Sequence, residues 1–167
     1  MPHPYFATPF NSCVPGFAFS DYDDYCARMA ALRDDFGDPV EEVRLDYIDG
    51  DNPELFNALE VSQATLALWF DTIECLDGDD LIKAIYLARD LNVAMGDVLD
   101  RLDEVSLFEG DAESYVRDFV EDCGLLDGLP ENLQPYFDTA AFARDMLLGG
   151  DIEEVDIMGR RFVVWGC

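Results

Sequence analysis

The chain has 167 residues, 37 of them Asp or Glu and 10 Lys or Arg, for a formal charge of −27. Half of it is hydrophobic, with 12 Phe, 7 Tyr and 2 Trp, which excludes a disordered acidic chain and predicts a folded protein with an anionic surface. That surface repels nucleic acid and anionic membranes and attracts basic partners.

Residues 4–9, bracketed by prolines, predict an edge strand, and residues 16–19 a second. Ser20 is the expected N-cap of a helix with Asp21, Asp23 and Asp24 in its first turn, where the helix dipole favours acids. The helix is expected to run to about Asp35 and to turn Tyr22, Tyr25, Cys26, Met29 and Leu32 inward. Residues 42–48 alternate polar and apolar, a half-buried strand. Residues 1–50 therefore predict an N-terminal α/β domain.

Residues 51–104 predict a helical middle domain. Pro53 suits a first helical position. Ser62 is the expected cap of a helix through Leu66, Trp69, Phe70 and Ile73. Asp79 or Asp80 opens another, with Leu81, Ile85, Leu87, Ala88 and Leu91 inward, and Met95, Val98, Leu99 and Leu102 mark a third.

Residues 105–167 mix both periods and predict a C-terminal α/β domain. Residues 105–108 read as a strand, and 111–123 as a helix burying Tyr115, Val116, Phe119 and Val120 and ended by Gly124. A helical turn is expected at 130–134. Asp138 or Thr139 caps a helix that runs to Leu148 and stops at Gly149 and Gly150. A terminal hairpin turns at Gly159 and Arg160. The fold class is α+β: three small domains in series (α/β, all-helical, α/β), with antiparallel strands.

Cys13, Cys26, Cys75, Cys123 and Cys167 are an odd, dispersed set without a CxxC, which predicts reduced thiols. The N-terminus lacks the basic start and apolar run of a signal peptide, and no apolar stretch approaches the roughly 18 residues of a membrane span. A cytoplasmic location follows. The only histidine, His3, stands near the N-terminus, away from any partner set for a catalytic triad. Asp77, Asp79 and Asp80, or Asp49, Asp51 and Asn52, resemble fragments of a calcium loop without completing its pattern; turns and helix caps use the same residues. No catalytic, cofactor or metal site is expected.

The acids are spread through structured segments. Residues 1–50 hold 10 acids and 3 bases, residues 51–104 hold 13 and 3, and residues 105–167 hold 14 and 4. The candidate partner-binding acids flank the apolar stripes: Asp23, Asp24, Asp34 and Asp35; Asp97, Asp100, Asp103 and Glu104; Glu113, Asp118, Glu121 and Asp122. Lys83 is the only lysine, whereas an ordinary solvated face intersperses both signs. At one charge per about 1.7 Å of axis, the net charge matches roughly 46 Å of B-DNA. Val105, Leu107 and Phe108, on a strand too short to stand alone, are the candidate dimer contacts.

Residues 125–138, Leu-Leu-Asp-Gly-Leu-Pro-Glu-Asn-Leu-Gln-Pro-Tyr-Phe-Asp, are followed by Ala143-Arg144-Asp145-Met146. This segment resembles the motif of the ArdA antirestriction proteins, most closely over residues 111–165. The resemblance implies a cytoplasmic DNA mimic, often carried on mobile elements. It implies an elongated three-domain homodimer that occupies the DNA-binding groove of type I restriction–modification enzymes. In the motif, Leu126, Leu129, Leu133, Tyr136 and Phe142 are expected to build a core, and Arg144 to pair with a carboxylate. A generic acidic adaptor or chaperone for basic proteins is the alternative reading of the charge.

Overall fold

The computed structural model describes residues 4–11 and 13–166; His3 and Cys167 lie outside them. The chain is mixed α+β with two small antiparallel sheets, and divides into two compact units, Met1–Leu99 and Asp100–Cys167.

The first unit contains a sheet of order β2-β1-β3, built from β1 (Tyr5–Pro9), β2 (Phe17–Phe19) and β3 (Val43–Tyr47). β1 lies in the middle and alternates buried with half-buried residues. The prolines do not confine it to an edge, because Pro4 stands outside the strand and Pro9 ends it. Helix α1 (Tyr22–Ala31) starts one residue later than expected. Asp21 takes the extended N-cap conformation and its carboxylate accepts from Asp24 N at 2.8 Å, while Ser20 N donates back to Asp24. The helix also ends early, at Ala31. Leu32 is extended, and the Arg33 guanidinium satisfies the carbonyls of Ala30 and Leu32. Its inward face narrows to Tyr25, with Met29 half-buried and Tyr22 and Cys26 exposed.

The helices α2 (Pro53–Ala58), α3 (Leu66–Leu68), α4 (Gly78–Arg89) and α5 (Met95–Arg101) follow. Ser62 caps none of them. It closes a turn with Thr65 instead, donating its N–H to Thr65 Oγ1 at 3.0 Å, and helix begins at Leu66. A π-helical turn, Trp69–Ile73, continues α3 and sends both end residues into the core. α4 is preceded by Asp77, which takes the extended cap conformation; Asp79 and Asp80 stand in its first turn. Leu81, Ile85, Leu87 and Ala88 are buried as expected, whereas Leu91, past the helix end, is exposed.

One aromatic core joins this unit's sheet to its helices. Tyr5 stacks on Phe19 and meets Tyr47, Phe56 and Phe70 with centroids within 5.8 Å. Its hydroxyl donates to Glu74 Oε1 at 2.5 Å and accepts from Trp69 Nε1 at 2.8 Å. Burial, then the Glu74 contact, push the Tyr5 hydroxyl far above its ordinary titration range. Asn52 donates to the Glu74 carbonyl, and Gln63 bridges Val43 N and the Glu41 carbonyl. Residues 1–50 and the helices that follow thus share one core.

The second unit is a sheet of order β4-β6-β5 with two helices: β4 (Ser106–Glu109), α6 (Ala112–Asp122), α7 (Thr139–Gly149), β5 (Glu153–Ile157) and β6 (Arg160–Trp165). Asp111 and Asp138 cap the helices through Ser114 N and Ala141 N. Gly150 closes α7 in the left-handed conformation that glycine adopts without strain. The hairpin turn is Met158 and Gly159, both at positive φ, one residue before the expected pair. Ile157 therefore pairs with Arg160, as a two-residue turn matching the strand twist requires. The core is Tyr115, Val116, Val120, Ala143, Ile152 and Val163, with Phe108, Phe119 and Phe142 packed against it.

The motif segment departs from expectation. Its helical turn is Gln134–Tyr136, not residues 130–134. Leu126 and Phe142 pack on the core, but Leu129 and Leu133 are exposed and Tyr136 is 83% exposed. The proline-rich turns at Pro130 and Pro135 carry these side chains outward, where no helix stripe organises them. Arg144, exposed on α7, has no carboxylate partner among the described residues.

Candidate acidic interface

The two units carry comparable charge: 20 acids against 5 bases in residues 1–99, and 17 against 5 in residues 100–167. The bases are largely neutralised where they stand. Arg28 pairs with Asp24, Arg44 with Asp46, Arg89 with Glu54 and Asp90, and Arg101 with Glu104. Arg117 pairs with Glu113, Arg160 with Glu109, and Arg161 with Asp156. These exposed pairs add little stability. Their effect is electrostatic: they cancel cations locally and leave the remaining carboxylates as a net anionic surface.

The candidate acids sort accordingly. Asp24, Glu104 and Glu113 are taken by arginines 2.7–3.4 Å away. Asp34 is used by its own loop, accepting from Phe36 N and Asp38 N at 2.9 Å. Asp23, Asp35, Asp97, Asp100, Asp103, Asp118, Glu121 and Asp122 are exposed, with no ion pair or side-chain hydrogen bond among the described residues. Asp23 sits in the first turn of α1 and Asp97 in that of α5; Asp118, Glu121 and Asp122 stand toward the C-terminal end of α6.

Other acids have structural work that no linear pattern announces. Glu154 accepts from Ala112 N at 2.6 Å. The Ser114 N–H and hydroxyl hold the Asp111 carboxyl below its ordinary range, and the Arg160 guanidinium does the same for Glu109. Capping residues are legible from sequence; Glu74 and Glu154 are not, because their partners lie 69 and 42 residues away.

Of the candidate dimer contacts, Val105 is only 1% exposed and Phe108 packs edge-on to Tyr115, so both are engaged within their own chain. Leu107, on the opposite face of β4, is half-buried. β4 pairs with β6 along one side only. The described residues contain no cluster of His, Cys, Asp and Glu suited to hold a metal ion, and no helix long and apolar enough to cross a membrane.

The surface defined in this way is a folded polyanion: carboxylates fixed on helices and turns, with most bases cancelled beside them. The family model for the antirestriction protein ArdA matches residues 16–157. The chain belongs to the ArdA antirestriction family, and membership implies antirestriction function and interaction with restriction–modification enzymes. No curated protein matches the chain significantly.

Proposed function

We propose that the protein is a DNA mimic that occupies the DNA-binding groove of a type I restriction–modification enzyme and so denies that enzyme its substrate. The observation that carries this reading is the set of eight exposed, unpaired carboxylates distributed over both compact units. Phosphate contacts supply much of the affinity of a DNA-binding groove, and fixed carboxylates offer that groove the same charge. The protein itself needs no cofactor, binds no nucleic acid and engages no membrane. The cytoplasm is its place of action, consistent with the exposed free thiols of Cys13, Cys26, Cys75 and Cys123. The immobilised protein is expected to retain a type I methyltransferase core and release it to competing duplex DNA. Indiscriminate retention of basic proteins, unaffected by DNA, identifies a generic acidic adaptor instead.

We further propose that the protein acts as a homodimer, with the unpaired side of β4 and Leu107 meeting their equivalents across a two-fold axis. The exposed Leu129, Leu133 and Tyr136 supply additional apolar surface on the same unit. The three segments 1–50, 51–104 and 105–167 would each present a share of the anionic surface. Leu107→Asp places a charge at the proposed contact and is expected to give monomers in sedimentation velocity. An unchanged sedimentation coefficient removes β4 from the interface.

A further inference from the structure

Phe36 is 91% exposed, the most exposed of the large hydrophobic side chains among the described residues. Its backbone is held in a hydrogen-bonded turn. Asp34 Oδ1 accepts from Phe36 N and Asp38 N, Gly37 N donates to the Asp34 carbonyl, Asp34 N donates to the Asp38 carbonyl, and Arg33 bridges to Pro39. The loop so fixed walls a hollow of about 320 Å³ with Asp34, Pro39, Val40 and Phe10, the last 69% exposed. Nothing in the fold uses the Phe36 ring, and charge mimicry has no use for an apolar side chain.

We infer that Phe36 is an apolar anchor that inserts into a basic-rimmed apolar recess of the restriction–modification enzyme, a contact made in addition to the charge mimicry. The charge around it selects the occupant. Asp34, Asp35, Asp38, Glu41 and Glu42 surround the anchor in sequence. Arg33 is spent on backbone carbonyls and Arg44 on Asp46. A second copy would bring the same five acids against these, and an anionic lipid surface is repelled likewise; a cationic protein surface is attracted. A backbone fixed before binding leaves only the ring's own rotamers to be ordered on insertion, which lowers the cost of the contact.

This inference rests on the proposed function, and the test separates the two. Binding of the full-length protein to a type I methyltransferase core is measured from low to high salt for wild type, Phe36→Ala and Asp35→Asn. Removing the anchor is expected to weaken binding about tenfold or more at every salt concentration, with the salt slope unchanged, because burial of a ring is insensitive to screening. Asp35→Asn is expected to lower the slope instead. An unchanged thermal midpoint for Phe36→Ala shows that the fold is intact, as the ring's exposure requires. If wild type binds and DNA competes, but Phe36→Ala binds within twofold of it, the anchor is overturned and the proposed function stands. If that variant also sediments more slowly than wild type, the ring belongs to a contact between copies, which likewise overturns the anchor. If wild type does not bind the enzyme, both readings fall.

Discussion

Trp69→Ala is expected to destabilise the first unit by about 3–5 kcal/mol, a range typical of truncating a fully buried aromatic. Trp69 is wholly buried, meets Phe56 edge-on at 5.1 Å, and donates to the Tyr5 hydroxyl, which in turn donates to Glu74. Its loss removes the ring that links β1 to the π-helical turn, and native proteins hold only about 5–15 kcal/mol in total. Tyr5→Phe isolates the polar part. It keeps the ring but leaves the Trp69 N–H without its acceptor, at a cost of about 1–3 kcal/mol. Urea denaturation followed by far-UV circular dichroism ranks the two. A loss below about 1 kcal/mol for Trp69→Ala contradicts the shared core. The raised Tyr5 titration adds a pH signature. A folded-state pKa above the ordinary 10.0 contributes stability that is complete below pH 10 and declines as pH rises further.

The combined variant Asp118→Asn, Glu121→Gln, Asp122→Asn is expected to be more stable than wild type and a weaker binder. These three acids stand toward the C-terminal end of α6, where the helix dipole disfavours negative charge, and no base occupies the last turn. Glu121 and Asp122, in the last turn, each cost a few tenths to about 1 kcal/mol, and removing all three is worth about 1 kcal/mol at low salt, less as salt screens the dipole. Surface charges that violate a local rule without a compensating contact mark a functional demand. If the three replace phosphates in a groove, their loss makes enzyme binding less dependent on salt. Thermal melts at two ionic strengths and a salt titration of binding test both halves. A variant that is stabilised yet binds with the wild-type slope assigns these acids to solubility alone.

Legibility followed the range of the interactions. The strands, the amphipathic helices α4 and α6 and the cap Asp138 depend on neighbours within a few residues, and the pattern disclosed them; Asp111, expected inside α6, caps it instead. Ser20, Ser62 and Gly159 misled by one to three positions, since several residues in each stretch could cap or turn and backbone geometry selects among them. Long-range pairings such as Tyr5–Glu74 left no mark in the sequence. The motif was legible as a family signature and illegible as structure: its leucines suggest a core, yet the prolines among them turn Leu129, Leu133 and Tyr136 outward. Ten of the twelve candidate acids are exposed, though Asp34 and Asp35 stand beyond the end of α1, and sequence alone did not separate the four with local partners from the eight without.

The central claim is that fixed carboxylates stand in for DNA phosphates, and the affinity of the wild-type protein for a type I methyltransferase core, measured between about 50 and 200 mM salt with and without competing duplex DNA, tests it most directly. If the eight unpaired acids act in place of phosphates, affinity falls steadily across that range and DNA competes throughout. An affinity indifferent to salt, or a complex that duplex DNA does not displace, contradicts the account.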